Sequence, residues 1–429
     1  MSRESPREIA IRVLRRRRTS REYVETLLEQ ELARAPLTRL DRSLCQELVY
    51  GMVRWEMTLD WLIARKTSAR PQAGLVQLLL RLGLYQIFWL QRIPAHAAVH
   101  ETVELARHLG CAAQTGFLNA VFRASLRQRE ATLLQLEALK REDPALGYSH
   151  PAWLVDRWRA RWGPEKTAQL LEWDNSHPPT FARLNLLKTD APALTALWRA
   201  QGIGFTARHW DWTGEDLVFE LHSHPSLAEW SEFQRGFFYV QDPSTLLAVR
   251  ELDPQPGDDI LDLCAAPGGK TTYIAQRMGN RGRILAHDTQ PPRLRRLVEN
   301  CARLGVDCVQ ATASYAAVAG PFDRILVDAP CSNTGVLRRR VDLRWRLRPQ
   351  ELERLPPRQG AMLRRVAAQL KPGGRLVYST CSLEPEENED VTREFLKEHG
   401  EFALENQRQL LPFVDQVDGA WVASLRRRA

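Results

Sequence analysis

The chain has 429 residues, 44% of them hydrophobic and 26% charged, with a formal net charge of +8 and an isoelectric point near 9.3. That length exceeds one ordinary domain and predicts two or three. No stretch approaches the ~20 uninterrupted apolar residues of a membrane helix, because the best candidate, 75–90, contains Arg81, and residues 1–18 lack an apolar signal-peptide core; the expected place is the cytoplasm, with no membrane partner.

Residues 1 to about 140 read as helical. Ile9, Val13 and Leu14, then Val24, Leu27, Leu28 and Leu32, recur at helix spacing, and amphipathic segments follow at 44–55, 59–63, 75–90, 97–109 and 117–126. Pro94 and Gly110 punctuate them, and no period-two alternation appears, so this part is expected to be an all-α bundle. Residues 141–240 are mixed, with short apolar runs, many Trp residues and the turn signal Asn175-Ser176-His177-Pro178-Pro179. They predict a small α+β connecting region. From Gly257 strand-like runs at 260–263, 283–287, 307–310, 324–327 and 376–379 alternate with helical segments around 271–278, 292–304 and 350–370. That alternation predicts an α/β, Rossmann-like domain over 241–429, with a parallel, doubly wound sheet. Ligands on such sheets bind beyond the carboxyl ends of the strands.

Charge and cysteine usage narrow the partners. The basic runs 15–18, 338–340 and 426–428 are each compatible with a solvated face. Together with the net charge they favour a nucleic-acid partner, since Arg and Lys displace counterions from phosphates. The seven cysteines, at 45, 111, 264, 301, 308, 331 and 381, are odd in number, widely spaced and without a C-x-x-C pair. This argues against a disulfide framework and against a zinc site, and no metal is expected.

Three constellations carry chemistry. The turn Cys264-Ala265-Ala266-Pro267-Gly268-Gly269-Lys270 ends a strand and opens a helix, where small residues let a ligand approach the backbone and the first helical amides are unpaired. It lacks the phosphate-cradling G-x-x-x-x-G-K-[ST] pattern. Asp288, at the end of the next strand, stands where a carboxylate would meet ribose hydroxyls or simply cap the following helix. The second and third constellations are Asp328-Ala329-Pro330-Cys331-Ser332 and Thr380-Cys381-Ser382, each just past a strand. A single cysteine is most often buried structure. Two at neighbouring strand ends, one beside an Asp, suit methylation of an unactivated pyrimidine carbon. A thiolate adding at carbon 6 makes carbon 5 nucleophilic, an acid held against N3 steadies the developing charge, and a base then removes the carbon 5 proton.

At these residues the sequence resembles the RNA cytosine-5 methyltransferases, most closely the RsmB (Sun or Fmu) rRNA methyltransferases. The matching segments are 261–272, 328–332 and 378–382, with Pro385-Glu386-Glu387-Asn388 behind the last, Asp242 before the turn, and Arg183 and Asn185 upstream. In the helical half, Asp41-Arg42, 47–51, 82–86, 92–99 with Glu101, and 116–121 resemble a NusB-like RNA-binding domain. The resemblance implies S-adenosylmethionine as methyl donor, held by the 264–270 turn, Asp288, Thr312 and Asp328. It further implies Cys381 as nucleophile, Cys331 as the residue assisting release, and Asp328 against the base. The implied substrate is 16S rRNA, at cytosine 967, and the expected state is a monomer. Two positions depart from the family: Thr312 stands where an Asp usually meets the adenine amino group, and Asp418-Gly419-Ala420-Trp421 replaces Asp-Gly-Phe-Phe. Open alternatives are the same chemistry on tRNA or 23S rRNA, or a catalytically silent RNA-binding scaffold.

Overall fold

The computed structural model describes residues 4–429. They form two units: one runs to Ser176 and includes Leu337–Leu347, and the other comprises His177–Val336 and Arg348–Ala429.

The first unit is helical. Its helices begin with Pro6–Arg17, Val24–Arg34, Arg39–Arg54 and Glu56–Lys66, and continue with Gly74–Trp89, Ala95–His108 and Thr115–Arg127. Ser5 and Thr38 start two of them by accepting from the amides of Glu8 and Asp41. Helix Gly74–Trp89 is apolar on almost every side, and it is accordingly the buried one, from Val76 to Phe88. Helix Ala152–Asn175 is two helices joined at a kink, where Gly163 has φ 79° and Pro164 follows.

The inserted segment Leu337–Leu347 is tied in by charge. Fully buried Asp342 accepts from Arg17 Nε at 2.6 Å, Arg346 Nε at 2.8 Å and the Val24 amide at 3.0 Å. Arg344 donates to Asn175 Oδ1 at 2.8 Å and to the Asp174 carbonyl at 3.0 Å, and the Arg338 guanidinium lies 3.8 Å from the Trp173 ring centroid. The basic runs are only partly solvated faces, with Arg15, Arg18, Arg340 and Arg428 exposed. Arg338 is buried, Arg16 and Arg17 pair with Glu31, Glu56 and Asp342, and Arg426 pairs with Glu405. A guanidinium stacks on rings and forks onto carboxylates, so these arginines hold structure together.

The second unit contains two sheets. The smaller is antiparallel, built from β1 (Thr180–Leu184), β2 (Gly204–Arg208), β3 (Val218–Ser223) and β4 (Phe238–Val240) in the order β2-β3-β1-β4. Trp198, on helix Ala191–Ala200, packs its ring against Phe205, Phe219, Trp230 and Phe238. The larger sheet starts with β5 (Asp259–Leu263), β6 (Arg283–His287), β7 (Val309–Thr312), β8 (Phe322–Asp328) and β9 (Leu370–Thr380). It ends with β10 (Phe402–Leu410) and β11 (Ala420–Arg427), and the order is β10-β11-β9-β8-β5-β6-β7. Strands β5 to β9 pair in parallel, whereas β11 is antiparallel to both β9 and β10. The parallel strands show apolar runs because helices cover both faces. β5 is flanked by β6 on one side and β8 on the other, so the connection reverses there and a crevice opens at the carboxyl ends.

Candidate active site

Every sequence-derived site residue falls at that carboxyl edge. Cys264 leaves β5 with φ 65°, the Ala265 amide donates to the His287 carbonyl at 2.9 Å, and the Gly268 amide closes the turn on the Ala265 carbonyl at 2.9 Å. Gly268 has φ 101°, a backbone conformation that favours glycine, and a Cβ there would press on Leu297 Cγ at 3.2 Å. Helix Gly269–Arg277 starts directly behind it. The turn is braced from outside: Asn300 donates to the Pro267 carbonyl at 3.0 Å, Arg293 to the Ala266 carbonyl, and buried Arg183 to the Gly269 carbonyl at 2.7 Å.

Arg183 and Asn185 thus act on structure. Arg183 also reaches Thr272 and is sandwiched near the Tyr239 and Tyr273 rings, while Asn185 donates to the carbonyls of Gly236 and Leu304 at 2.8 Å. Asp242 accepts from the amides of Ser244 at 3.0 Å and Asp418 at 3.2 Å. Under the turn, fully buried Asp262 accepts from Thr271 at 2.6 Å, and burial pushes its carboxyl up to about 7.

Next along the edge, Asp288 is buried; its Oδ1 accepts from the Gln290 amide at 3.0 Å, and Arg293 approaches Oδ2 at 3.2 Å. Thr312 ends β7 opposite His287, and its hydroxyl accepts from the Ser314 amide at 3.1 Å.

On the other side of β5, Asp328 ends β8. Its Oδ2 accepts from Lys270 Nζ at 2.7 Å and its Oδ1 from Ser379 Oγ at 2.8 Å. Burial alone would lower the Lys270 ammonium, but the Asp328 charge outweighs it and holds the ammonium above its ordinary value. Lys270, expected on the cofactor turn, therefore points to the Asp. The two cysteines meet: Cys331 Sγ lies 3.4 Å from Cys381 Sγ. Their hydrogen bond and burial push the Cys331 thiol well up.

Asn333 stands outside every matching segment, and several residues inside those segments take roles that their spacing does not show. Asn333, in the left-handed region at φ 59°, accepts from Cys381 Sγ at 3.1 Å and donates to the Cys331 carbonyl at 2.5 Å. Ser379 supports Asp328, and Ser332, Ser382 and Glu387 lie behind the cysteines. The signal available was the repeated Cys-Ser pair, at 331–332 and 381–382. Gly335 and Gly419 touch backbone to backbone, since a Cβ on Gly335 would lie 2.6 Å from the Gly419 carbonyl oxygen. The glycine of the Asp-Gly pair is a packing requirement, and Trp421 beside it is buried in the sheet core.

This arrangement can bring a nucleoside at β5–β7 against two sulfurs, an ammonium and a carboxylate at β8–β9. Residues 249–426 match the model of the 16S rRNA methyltransferase RsmB/F, residues 4–127 the NusB family, and residues 150–214 the RsmF/B-like ferredoxin-like domain. The ribosomal RNA small subunit methyltransferase B of Klebsiella pneumoniae is 37% identical over 407 residues, covering 90% of each chain. A Bacillus subtilis protein, "Probable ribosomal RNA small subunit methyltransferase B", is 34% identical over 458 residues and covers 100% of both. Among solved structures, PH0851 superposes with a TM-score of 0.79 over 99% of each chain at 24% identity. A methyltransferase homologue from Pyrococcus horikoshii gives 0.58 at 32% identity, over 66% of this chain and 98% of its own. Full-length similarity to such relatives, joined to a helical NusB unit and a seven-stranded methyltransferase sheet, makes the chain a member of the RsmB/F family of rRNA methyltransferases.

Proposed function

We propose that the protein transfers a methyl group from S-adenosylmethionine to carbon 5 of one cytosine of 16S rRNA, cytosine 967 on the family resemblance, through a transient bond from Cys381 to carbon 6. The observation that carries this reading is the pair of sulfurs 3.4 Å apart, beside the Lys270–Asp328 ion pair at the carboxyl edge of the sheet.

The residues at β5–β7 fit the methyl donor. Asp288 keeps Oδ2 buried without a hydrogen-bond donor, although Arg293 lies near, which suits ribose hydroxyls. The 264–270 turn offers close backbone approach, and the Thr312 hydroxyl stands at the adenine end. Bound there, S-adenosylmethionine supplies an electrophilic methyl carbon. The protein's own groups do the rest. The Cys381 thiol loses its proton to solvent and the thiolate sulfur adds to carbon 6, placing negative charge on N3 and making carbon 5 an enamine-like nucleophile. Lys270 and Asp328 face the charge that develops around N3. After methyl transfer Cys331, acting as its thiolate, takes the carbon 5 proton and becomes the thiol, which later returns that proton to solvent; the ring double bond re-forms, and the Cys381 sulfur leaves with its bonding pair. Residues 1–140 serve as the RNA-gripping part, 141–240 as the connecting part and 241–429 as the catalytic part.

The test is tritium transfer from labelled S-adenosylmethionine to purified rRNA and tRNA, followed by bisulfite mapping. Label confined to one bisulfite-resistant cytosine of 16S rRNA is the expected result. Label in tRNA or 23S rRNA would refute the substrate, and no transfer to any RNA would leave an RNA-binding scaffold as the better reading.

A further inference from the structure

Each cysteine is followed directly by a serine, and both serines are gripped by one carboxylate. Glu387 is fully buried. Its Oε2 accepts from Ser382 Oγ at 2.5 Å and from the Ser332 hydroxyl, and its Oε1 accepts from the Ser332 amide at 2.9 Å and Gln359 Nε2 at 3.0 Å. The two serine hydroxyls are 3.0 Å apart. Gln359 also donates to the Pro330 carbonyl at 3.0 Å, so both residues flanking Cys331 are held. Tyr378 donates to the Glu387 carbonyl at 2.6 Å, and Asn388, the next residue, donates to the Ser382 carbonyl at 2.9 Å. Burying a carboxylate is costly, and an apolar contact could join two loops more cheaply. What a carboxylate adds is direction: three donors from two loops and one from helix Glu351–Ala367 converge on two oxygens.

We propose that Glu387 is a positioning residue of the cysteine pair, its carboxylate clasping Ser332 and Ser382 so that Cys331 and Cys381 stay at the spacing their successive steps require. This rests on the reading that both cysteines act in turn on one base. The clasp has an electrostatic side. The groups facing Cys331 are Cys381 just past the end of β9, Tyr378 on β9, the Asn333 backbone and Glu387. After the Cys381 hydrogen bond and burial, the Glu387 charge further disfavours a Cys331 thiolate.

The test uses Glu387→Ala and Glu387→Gln in the full chain, read in two ways. Misplacing reacting groups by about 1 Å costs on the order of 100-fold in rate, so Glu387→Ala is expected to lower kcat by about that factor while KM for RNA stays within about threefold. The amide of Glu387→Gln can still accept from the Ser332 amide and donate to the hydroxyls, so its loss is expected to be smaller, about tenfold. In both variants alkylation of Cys331 by iodoacetamide, followed by peptide mass, is expected to move to lower pH, because the Glu387 charge that disfavours its thiolate is gone. A merely structural contact would not move that profile. Should Glu387→Ala fail to fold, Glu387→Gln decides: wild-type kcat with an unmoved profile overturns the proposal. If the wild-type protein methylates no cytosine, the underlying reading fails, and the alkylation profile still judges Glu387 by itself.

Discussion

The two ends of the same sheet edge are built differently. At β8–β9 the polar groups around the sulfurs are already engaged: Asp328 by Lys270 and Ser379, Cys381 by Cys331 and Asn333, and the serines by Glu387. At β6–β7 groups are left over. Asp288 Oδ2 meets only the Arg293 guanidinium, at 3.2 Å and without a hydrogen bond, and both His287 ring nitrogens are buried without a hydrogen-bond partner. A site that must hold reacting atoms at fixed distances is pre-assembled, because reorganisation during the reaction would raise the barrier. A site that must bind and release a nucleoside keeps acceptors in reserve for it.

Substitutions at the two ends should therefore differ in which constant moves. The largest effect is expected at the pre-assembled end. Asp328→Asn, which loses the Lys270 pair while keeping its size, should lower kcat by roughly 100- to 1000-fold, measured in single-turnover methyl transfer. An equal change in KM with kcat retained would erase the distinction. At the nucleoside end, Asp288→Ala should weaken S-adenosylmethionine binding by about tenfold or more, since a hydrogen bond to a charged group contributes roughly 1.5–3 kcal/mol. Calorimetry would show it, and kcat at saturating donor should fall little. The smallest effect is a gain: Thr312→Asp offers the adenine amino group a charged acceptor and should tighten donor binding by about 1 kcal/mol, roughly fivefold. No tightening would place the adenine elsewhere.

The same contrast governs what could be read from the sequence. The parallel strands β5, β6 and β8 stand where their apolar runs put them, because strands covered on both faces need continuous hydrophobic residues. β7 begins two residues later than the expected start at 307, since Val309–Thr312 is only partly buried and carries little pattern. β10 and β11 were both missed: the middle of β10 faces solvent, as an edge strand's does, so Leu404-Glu405-Asn406-Gln407 shows no alternation, and β11 is buried but offers only a short apolar run between Gly419 and a basic end. The three chemical constellations were legible because each follows a strand directly. The roles of Glu387, Asn333 and Ser379 were not, although Glu387 and Ser379 lie in matching segments, because those roles come from partners up to 55 residues away that only the fold brings together.

The central claim is that the two cysteines perform different steps. It is tested most directly by incubating wild type, Cys331→Ala and Cys381→Ala with 16S rRNA and S-adenosylmethionine and running denaturing electrophoresis. Addition and release need different groups, so losing the second should strand the first. Cys331→Ala is expected to accumulate a covalent protein–RNA band, and Cys381→Ala to give neither the band nor methylated RNA. A band with Cys381→Ala and none with Cys331→Ala would reverse the roles, and undiminished methylation by both variants would contradict the covalent mechanism itself.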